Sequence, residues 1–277
     1  MSRFEGKVVI VTGSSAGIGQ AVLLGFAKEG ASVVLHGVNE KRIKDTEALL
    51  KENGIPENRF LTIQGEIQDE KVQDKIIAET VAKFGRIDVL INNAGVGHKT
   101  GVTDHFSIEN FDYVMNVNFR APYRLTQLAL PHLQKTHGNV INTSSVASFA
   151  KQTDTTFYTI YGPSKAALDT WVKYDSARLA KLGVRLNNIN PGPFMTNILF
   201  RGMPEDTPEE VKKTMLGKIS DAVTNAGPLK RWGKMEELVP AYLLLADNKA
   251  SGFTIGSCWV VDGGLAYYGS EPDFKLQ

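Results

Sequence analysis

The feature that most constrains this chain lies at its start. Val8-Val-Ile-Val11 is apolar at every position and runs into Thr12-Gly13-Ser14-Ser15-Ala16-Gly17-Ile18-Gly19, then into an amphipathic stretch to about Glu29. A strand with no polar alternation is buried on both faces. Gly13 can take backbone angles closed to residues with a Cβ, so the chain can leave the strand sharply. The later glycines let a helix N-terminus approach both the sheet and a ligand, and the unpaired N–H groups of a first helical turn suit a pyrophosphate. The spacing is Gly-x3-Gly-x-Gly rather than Gly-x-Gly-x-x-Gly. A plain tight turn with a serine-rich cap is therefore the other reading of these residues.

The alternation continues along the chain. Ala31 to Leu35 reads as a second strand and Lys41 to Glu52 as a second helix; Phe60 to Gln64 and Glu70 to Phe84 repeat the pair. Val89 to Ile91 is a fourth strand, Ile108 to Leu133 a long helix and Asn139 to Thr143 a fifth strand. Tyr161 to Leu182 reads as a helix, Arg185 to Ile189 as a sixth strand, Trp232 to Leu245 as a helix and Cys258 to Val261 as a last short strand. Such a pattern predicts an α/β fold, a parallel sheet covered by helices on both faces. No linker, repeat or low-complexity tract divides the chain, so residues 1–277 are expected to form a single domain. The stretch Asn197 to Pro228, rich in Gly, Pro, Met and charge, is expected to be irregular and to serve as a flap over a site.

Composition narrows the function classes. Hydrophobic residues make up 42% and charged residues 22% of 277, enough for a large core. Formal net charge is +1, from 31 Lys+Arg against 30 Asp+Glu, which gives no electrostatic case for nucleic acid or an anionic membrane. The single cysteine, Cys258, excludes an intrachain disulfide and a cysteine zinc site. The five histidines, His36, His98, His105, His132 and His137, have no zinc spacing, so no metal is expected. Neither a signal peptide nor a membrane span is visible, which makes the cytoplasm the default location.

Three further motifs follow the glycine turn: Asn92-Asn-Ala-Gly95, Tyr161-x-x-x-Lys165 and Pro191-Gly192. With Thr12-Gly-x-x-x-Gly-Ile-Gly19, in this order and on this strand pattern, the chain resembles the classical short-chain dehydrogenases/reductases over about residues 6 to 265. The resemblance implies a doubly wound Rossmann-type sheet. It also implies an NAD(P)-dependent oxidoreductase that moves hydride between a nicotinamide and a carbonyl or secondary alcohol. A homo-oligomer, tetramer or dimer, built through the long helices is a further implication.

By the same resemblance Gly13, Ser15, Gly17, Ile18 and Gly19 meet the cofactor at the glycine turn. Glu66 meets the adenine amine and Ile67 packs near that ring. Asn93, Ala94 and Gly95 lie along the ribose and central cofactor, Pro191 and Gly192 follow strand six, Ile189 lies behind the nicotinamide, and Thr196 lies near its carboxamide. Gly37 stands where NAD-preferring members carry Asp, and Val38 where many NADP-preferring members carry Arg. Loss of the acid removes the repulsion of a 2′-phosphate, so NADP is favoured over NAD. Candidate substitutes for the missing cation are His36, Asn39, Lys41 and Arg42, each also explicable as loop or helix-start chemistry.

Tyr161 and Lys165 are four apart on an expected helix and so share a face. A tyrosine with a pKa of about 10 is a poor base, and a nearby ammonium is expected to lower it toward the working range. Resemblance assigns Tyr161 as the general acid/base, Lys165 as its partner and a holder of the nicotinamide ribose, Ser145 as the group that polarises the carbonyl, and Asn118 as a supporting asparagine. Ser144 competes with Ser145, and Asn116 with Asn118. The Ser145–Tyr161 interval is longer than usual in the family, with the extra residues near Lys151 to Phe157. Pro163 is unusual inside the motif and is expected in the first helical turn. The substrate pocket is expected from Val96, His98, Phe157, Phe194 and the 197–228 flap. The competing function is a non-catalytic dinucleotide-binding sensor or scaffold on the same fold.

Overall fold

The computed structural model describes residues 2–150, 157–196, 198 and 207–268. The first strand, β1 (Val8–Val11), enters α1 (Gly17–Lys28), and the pair is repeated as β2 (Ser32–Gly37) with α2 (Glu40–Glu52) and β3 (Phe60–Gln64) with α3 (Glu70–Phe84). Then follow β4 (Val89–Asn92), α4 (Ile108–Met115), a π turn (Asn116–Arg120), α5 (Ala121–Thr136) and β5 (Asn139–Thr143). The chain continues with α6 (Tyr158–Lys181), β6 (Arg185–Pro191), α7 (Glu209–Ala226), α8 (Met235–Ala246), a short α9 (Asn248–Ser251), β7 (Cys258–Val261) and α10 (Leu265–Tyr268). All strand pairs are parallel, in the order β3-β2-β1-β4-β5-β6-β7. This is the expected doubly wound single-domain sheet.

The strands sort their side chains by the two-residue period of an extended chain. Val9, Val11, Val33, Leu35, Val89 and Ile91 enter the core with α1 and α8. Ile10, Val34, Leu90 and Val140 enter the opposite core with α3, α5 and α6. Because both faces are covered, the strands have no solvent side, and this is why they read as continuous apolar runs.

Three boundaries differ from expectation. Helix α6 begins at Tyr158, so Pro163 lies in the second turn, and the N–H it lacks would have reached the Thr159 carbonyl. Helix α8 begins at Met235, after Gly233 has paired with Phe194 in an isolated bridge. Within the segment expected to be irregular, residues 209–226 form the helix α7. Its signal was present: Val211, Met215, Ile219 and Val223 recur every four residues after Pro208 and two acids. Residues 197 and 199–206 of that segment lie outside the described residues, as do residues 151–156 of the long Ser145–Tyr161 interval.

Arg185 ties the sheet to the C-terminal helices. It is 7% exposed, and its guanidinium donates to the carbonyls of Leu245, Ser251 and Thr254 and to Asn248 Oδ1. Burial draws its pKa down to about 10, so it stays charged at neutral pH. Arg185→Met would leave Asn248 Oδ1 without its donor and take one bond from each of the three carbonyls, which keep their other partners. Urea unfolding should show a loss of about 3 kcal/mol, against at most ~0.5 kcal/mol for a change at exposed Lys249.

Candidate active site

The sheet order reverses at β1, and β4 lies on its other side, so the loops after these strands diverge and open a crevice. The loop after β1 is held by its neighbours. The Thr12 hydroxyl accepts the N–H groups of Asn93 (3.0 Å) and Ala94 (3.1 Å). Asn93 Nδ2 returns bonds to the carbonyls of Thr12 (2.9 Å) and Gly13 (3.2 Å). Gly13 has φ +64, and a Cβ there would stand 2.8 Å from Ala94 Cα, so the turn and the close approach both demand glycine.

A cleft of about 810 Å³ runs from this loop along the carboxyl ends of the strands. Its nucleotide end is lined by Gly13, Ser15, Gly17, Ile18, Gly19, Gly37, Glu66, Ile67, Asn93, Ala94 and Gly95. Ser145, Tyr161, Lys165, Pro191, Gly192 and Thr196 line the remainder. Of the residues expected to be catalytic or to meet the cofactor, Asn118 and Ile189 stand behind the wall, each 0% exposed. Asn118 sits in the π turn, where its Oδ1 accepts from Val96 N (2.8 Å) and its Nδ2 donates to Val96 O (2.8 Å) and Ser164 Oγ (2.9 Å). It therefore clamps the loop after β4 to α6. π turns inside longer helices recur at functional sites.

Ser145, Tyr161 and Lys165 meet on one wall. The Ser145 hydroxyl is the hydrogen-bond partner of the Tyr161 phenol. Ser144 is turned away: it is 2% exposed and donates to the Lys165 carbonyl at 3.2 Å. Lys165 Nζ lies 5.6 Å from the centre of the Tyr161 ring and donates to the Thr143 carbonyl at 2.7 Å. Burial dominates both titrations. It pushes the Tyr161 phenol up to about 12, with Ser145 opposing and Tyr158 adding to the rise. It draws the Lys165 ammonium down to about 8, with Asp169 opposing. The expected lowering of Tyr161 is thus reversed, because removing the phenolate from water outweighs its neighbours. Burial favours the protonated phenol of Tyr161 at neutral pH.

Two expectations on the surroundings also change. His36 is 2% exposed and its Nδ1 accepts the Gly13 N–H at 3.1 Å, so it braces the glycine loop and does not face a phosphate. Val96 is wholly buried in the core, and His98 stacks on His105 (4.2 Å) and Phe157 (5.6 Å), outside the cleft wall. Phe157 and Phe194 do line the cleft, joined by Tyr158, Ile219, Val223 and Trp232. Helix α7 supplies two of these, and sequence reasoning missed it as a helix. Trp232 is anchored to α7 by a bond from Nε1 to Ser220 Oγ at 3.2 Å.

A family model described as enoyl-(acyl carrier protein) reductase matches residues 13–266. The chain is a classical short-chain dehydrogenase/reductase. It is 35% identical to an uncharacterized oxidoreductase of Thermotoga maritima, covering 95% of this chain and 98% of that one. It is 34% identical to the 3-oxoacyl-acyl-carrier-protein reductase FabG of the same organism, covering 95% and 99%, and 33% identical to the L-fucose dehydrogenase of Bos taurus, covering 95% and 90%. A short-chain dehydrogenase/reductase of unknown function from Caenorhabditis elegans, solved with cofactor, has a TM-score of 0.85 at 31% identity and covers 95% and 96%. Membership of this family makes the protein an oxidoreductase working with a nicotinamide cofactor. The glycine loop fits such a group, since Gly13, Gly17 and Gly19 line the cleft and Gly17, at φ +58, brings the backbone to its surface, with Thr196 Cβ 3.4 Å from where a Cβ would stand. No helix among the described residues is long and apolar enough to cross a membrane, and no group of three metal-ligating side chains occurs among them.

The state of Tyr161 can be read directly. A tyrosinate difference titration of the cofactor-free protein, wild type minus Tyr161→Phe, should show no step below about pH 10, because the pKa is raised above its ordinary value of 10.0. A step near neutral pH would mean that the ammonium prevails over burial.

Proposed function

We propose that the protein transfers hydride between NAD(P) and a carbonyl or secondary alcohol, with Tyr161 giving or taking the proton. One observation carries this reading: the Ser145 hydroxyl, the Tyr161 phenol and the Lys165 ammonium converge on one wall of a cleft that begins at the glycine loop. When bound, the cofactor supplies or accepts the hydride. The chain contributes the rest. Ser145 hydrogen-bonds the substrate oxygen and aims the carbonyl. Tyr161, protonated, passes its proton to that oxygen as negative charge develops there. Lys165 stabilises the phenolate left behind, and the Thr143 carbonyl holds its ammonium beside the ring. Asn118 supports the same wall from behind through Val96 and Ser164. Alcohol oxidation runs the same proton backwards.

NADP is the favoured nucleotide. An acid at position 37 would bring a Cβ to 2.4 Å from Ser15 Oγ, so the residue that selects NAD would require Ser15 to shift. Arg42 lines the cleft with an exposed side chain that makes no ion pair among the described residues, whereas Lys41 is engaged by Asp45 at 2.8 Å. A guanidinium matches a phosphate with paired donors. Asn39 is occupied as the cap of α2, accepting the Arg42 N–H. The substrate half is apolar, with Phe157, Phe194, Ile219, Val223 and Trp232, and among the described residues its charge outside the Tyr161–Lys165 pair is Lys212, paired with Glu209 at 2.8 Å. This favours an apolar ketone or aldehyde over a sugar.

Two measurements test the reading. Tyr161→Phe should retain cofactor affinity while kcat falls by about 10²–10⁴, the usual yield of a general acid. Full activity in this variant on a panel of apolar ketones and sugars would sink the mechanism. Arg42→Ala should shift the ratio of NADPH to NADH affinity by about tenfold toward NADH in fluorescence titrations, the loss of one charge-assisted phosphate contact. An unchanged ratio would remove Arg42 as the clamp.

A further inference from the structure

A line of buried amides crosses the sheet. Asn92, Asn142 and Asn188 are register neighbours on β4, β5 and β6 and are 2%, 0% and 0% exposed. Asn92 Nδ2 donates to Asn142 Oδ1 (2.9 Å), Asn142 Nδ2 to Asn188 Oδ1 (2.9 Å), and Asn188 Nδ2 to Asp169 Oδ1 (2.7 Å). Every amide points the same way, toward one carboxylate. Bonds aligned in this manner polarise each other.

Asp169 is 8% exposed and lies on α6, one turn beyond Lys165. Its Oδ2 accepts from Asn190 Nδ2 at 2.7 Å and from the Ser148 hydroxyl, and the Cys258 thiol is a further partner. These partners are neutral donors. A carboxylate buried among neutral groups costs several kcal/mol of lost hydration, of which hydrogen bonds return only part. The catalytic assignment above gives it no role, yet two connections run from it to the reacting wall. Ser148 Oγ also stands 2.7 Å from the Ser145 carbonyl, and Asn190 Nδ2 3.2 Å from it. Both groups therefore couple the carboxylate to the backbone that carries the Ser145 hydroxyl. The second connection is charge. Around Lys165 stand the Tyr161 ring and Asp169 from α6, the Thr143 carbonyl from β5, and Asn118 from the π turn near Gly95. Asp169 is the acid that acts on the ammonium, favouring its charged form against burial.

We propose that Asp169 is a positioning residue of the reaction: it terminates the asparagine line, fixes the Ser145 backbone against Tyr161, and sets a fixed negative charge one turn from Lys165. The proposal rests on the roles given above to Ser145, Tyr161 and Lys165. It separates two effects that a merely structural carboxylate would not produce. Neutralising the acid weakens the hold on the lysine proton. Breaking the Ser148 link misaims Ser145 and leaves that charge in place.

The test uses the full chain with Asp169→Asn and Ser148→Ala. The lysine titration is followed by carbon-13 NMR of lysine-labelled, cofactor-free protein, with the Lys165 signal assigned by Lys165→Met. The wild-type midpoint is expected near 8 and that of Asp169→Asn at lower pH, because a stabilising negative charge has gone. Ser148→Ala should keep the wild-type midpoint. In both variants kcat should fall by about tenfold to a hundredfold with a much smaller change in KM, the signature of misaligned reacting groups. A wild-type Lys165 midpoint in Asp169→Asn, or a wild-type kcat in folded Ser148→Ala, overturns the proposal. If Asp169→Asn fails to fold, the kcat of Ser148→Ala decides. Should the wild type itself turn over no carbonyl or alcohol, the enzymatic reading fails instead, and the NMR titration still judges the charge on its own.

Discussion

The structure depends on the hydrogen-bonded join between the ends of β1 and β4. Two adjacent parallel strands must part there, because one leads to a helix on one face and the other to helices on the opposite face. Parting leaves backbone groups that no ladder can satisfy. Thr12 and Asn93 supply the missing partners: one hydroxyl takes two N–H groups, and one amide returns bonds to two carbonyls. With this join closed, the glycine loop cannot collapse into the crevice, and the first turn of α1 keeps its donors facing open space. The position of every other group in the cleft is measured from this loop.

The remainder of the site obeys the same rule, that a polar group taken out of water is admitted only with partners. Asn118 makes three bonds and joins a loop to a helix. Lys165 is buried against a carbonyl and a tyrosine ring, and this lowers its affinity for its proton while holding the ammonium in one place. Tyr161 is shifted the opposite way for the same reason, since burial penalises whichever form carries charge. The two shifts drive phenol and ammonium apart in acidity, from ordinary values of 10.0 and 10.5 to about 12 and about 8, so that the tyrosine is firmly protonated and the lysine titrates near 8. In the proposed mechanism this makes Tyr161 a proton donor that waits for an oxygen to become basic.

Much of this was legible in the order of residues. Continuous apolar runs such as Val8–Val11 and the amphipathic helices between them gave the parallel sheet, since covering both faces forces apolar residues at every strand position. The motif residues converge on one cleft because a doubly wound sheet brings all strand ends to one edge. What could not be read was orientation and distance. Nothing in Ser144-Ser145 states which hydroxyl meets Tyr161; the pleat of β5 and the turn after it decide that. His36 stood among the candidate phosphate ligands until its ring proved to point inward to the Gly13 N–H. Helix α7 was missed because Gly, Pro and charge around it masked a clear four-residue apolar period.

By itself the sequence determined the fold class, the single-domain layout and the identity of the residues around the cleft, because periodicity and glycine spacing are local properties of the chain. The tertiary structure alone decided which of those residues touch, and therefore their acidity. The rise of Tyr161, the fall of Lys165 and the convergence of Asn92, Asn142 and Asn188 on Asp169 depend on groups far apart in the chain. Burial and hydrogen-bond direction are properties of the packed interior, and no order of letters carries them until the strands have closed on one another.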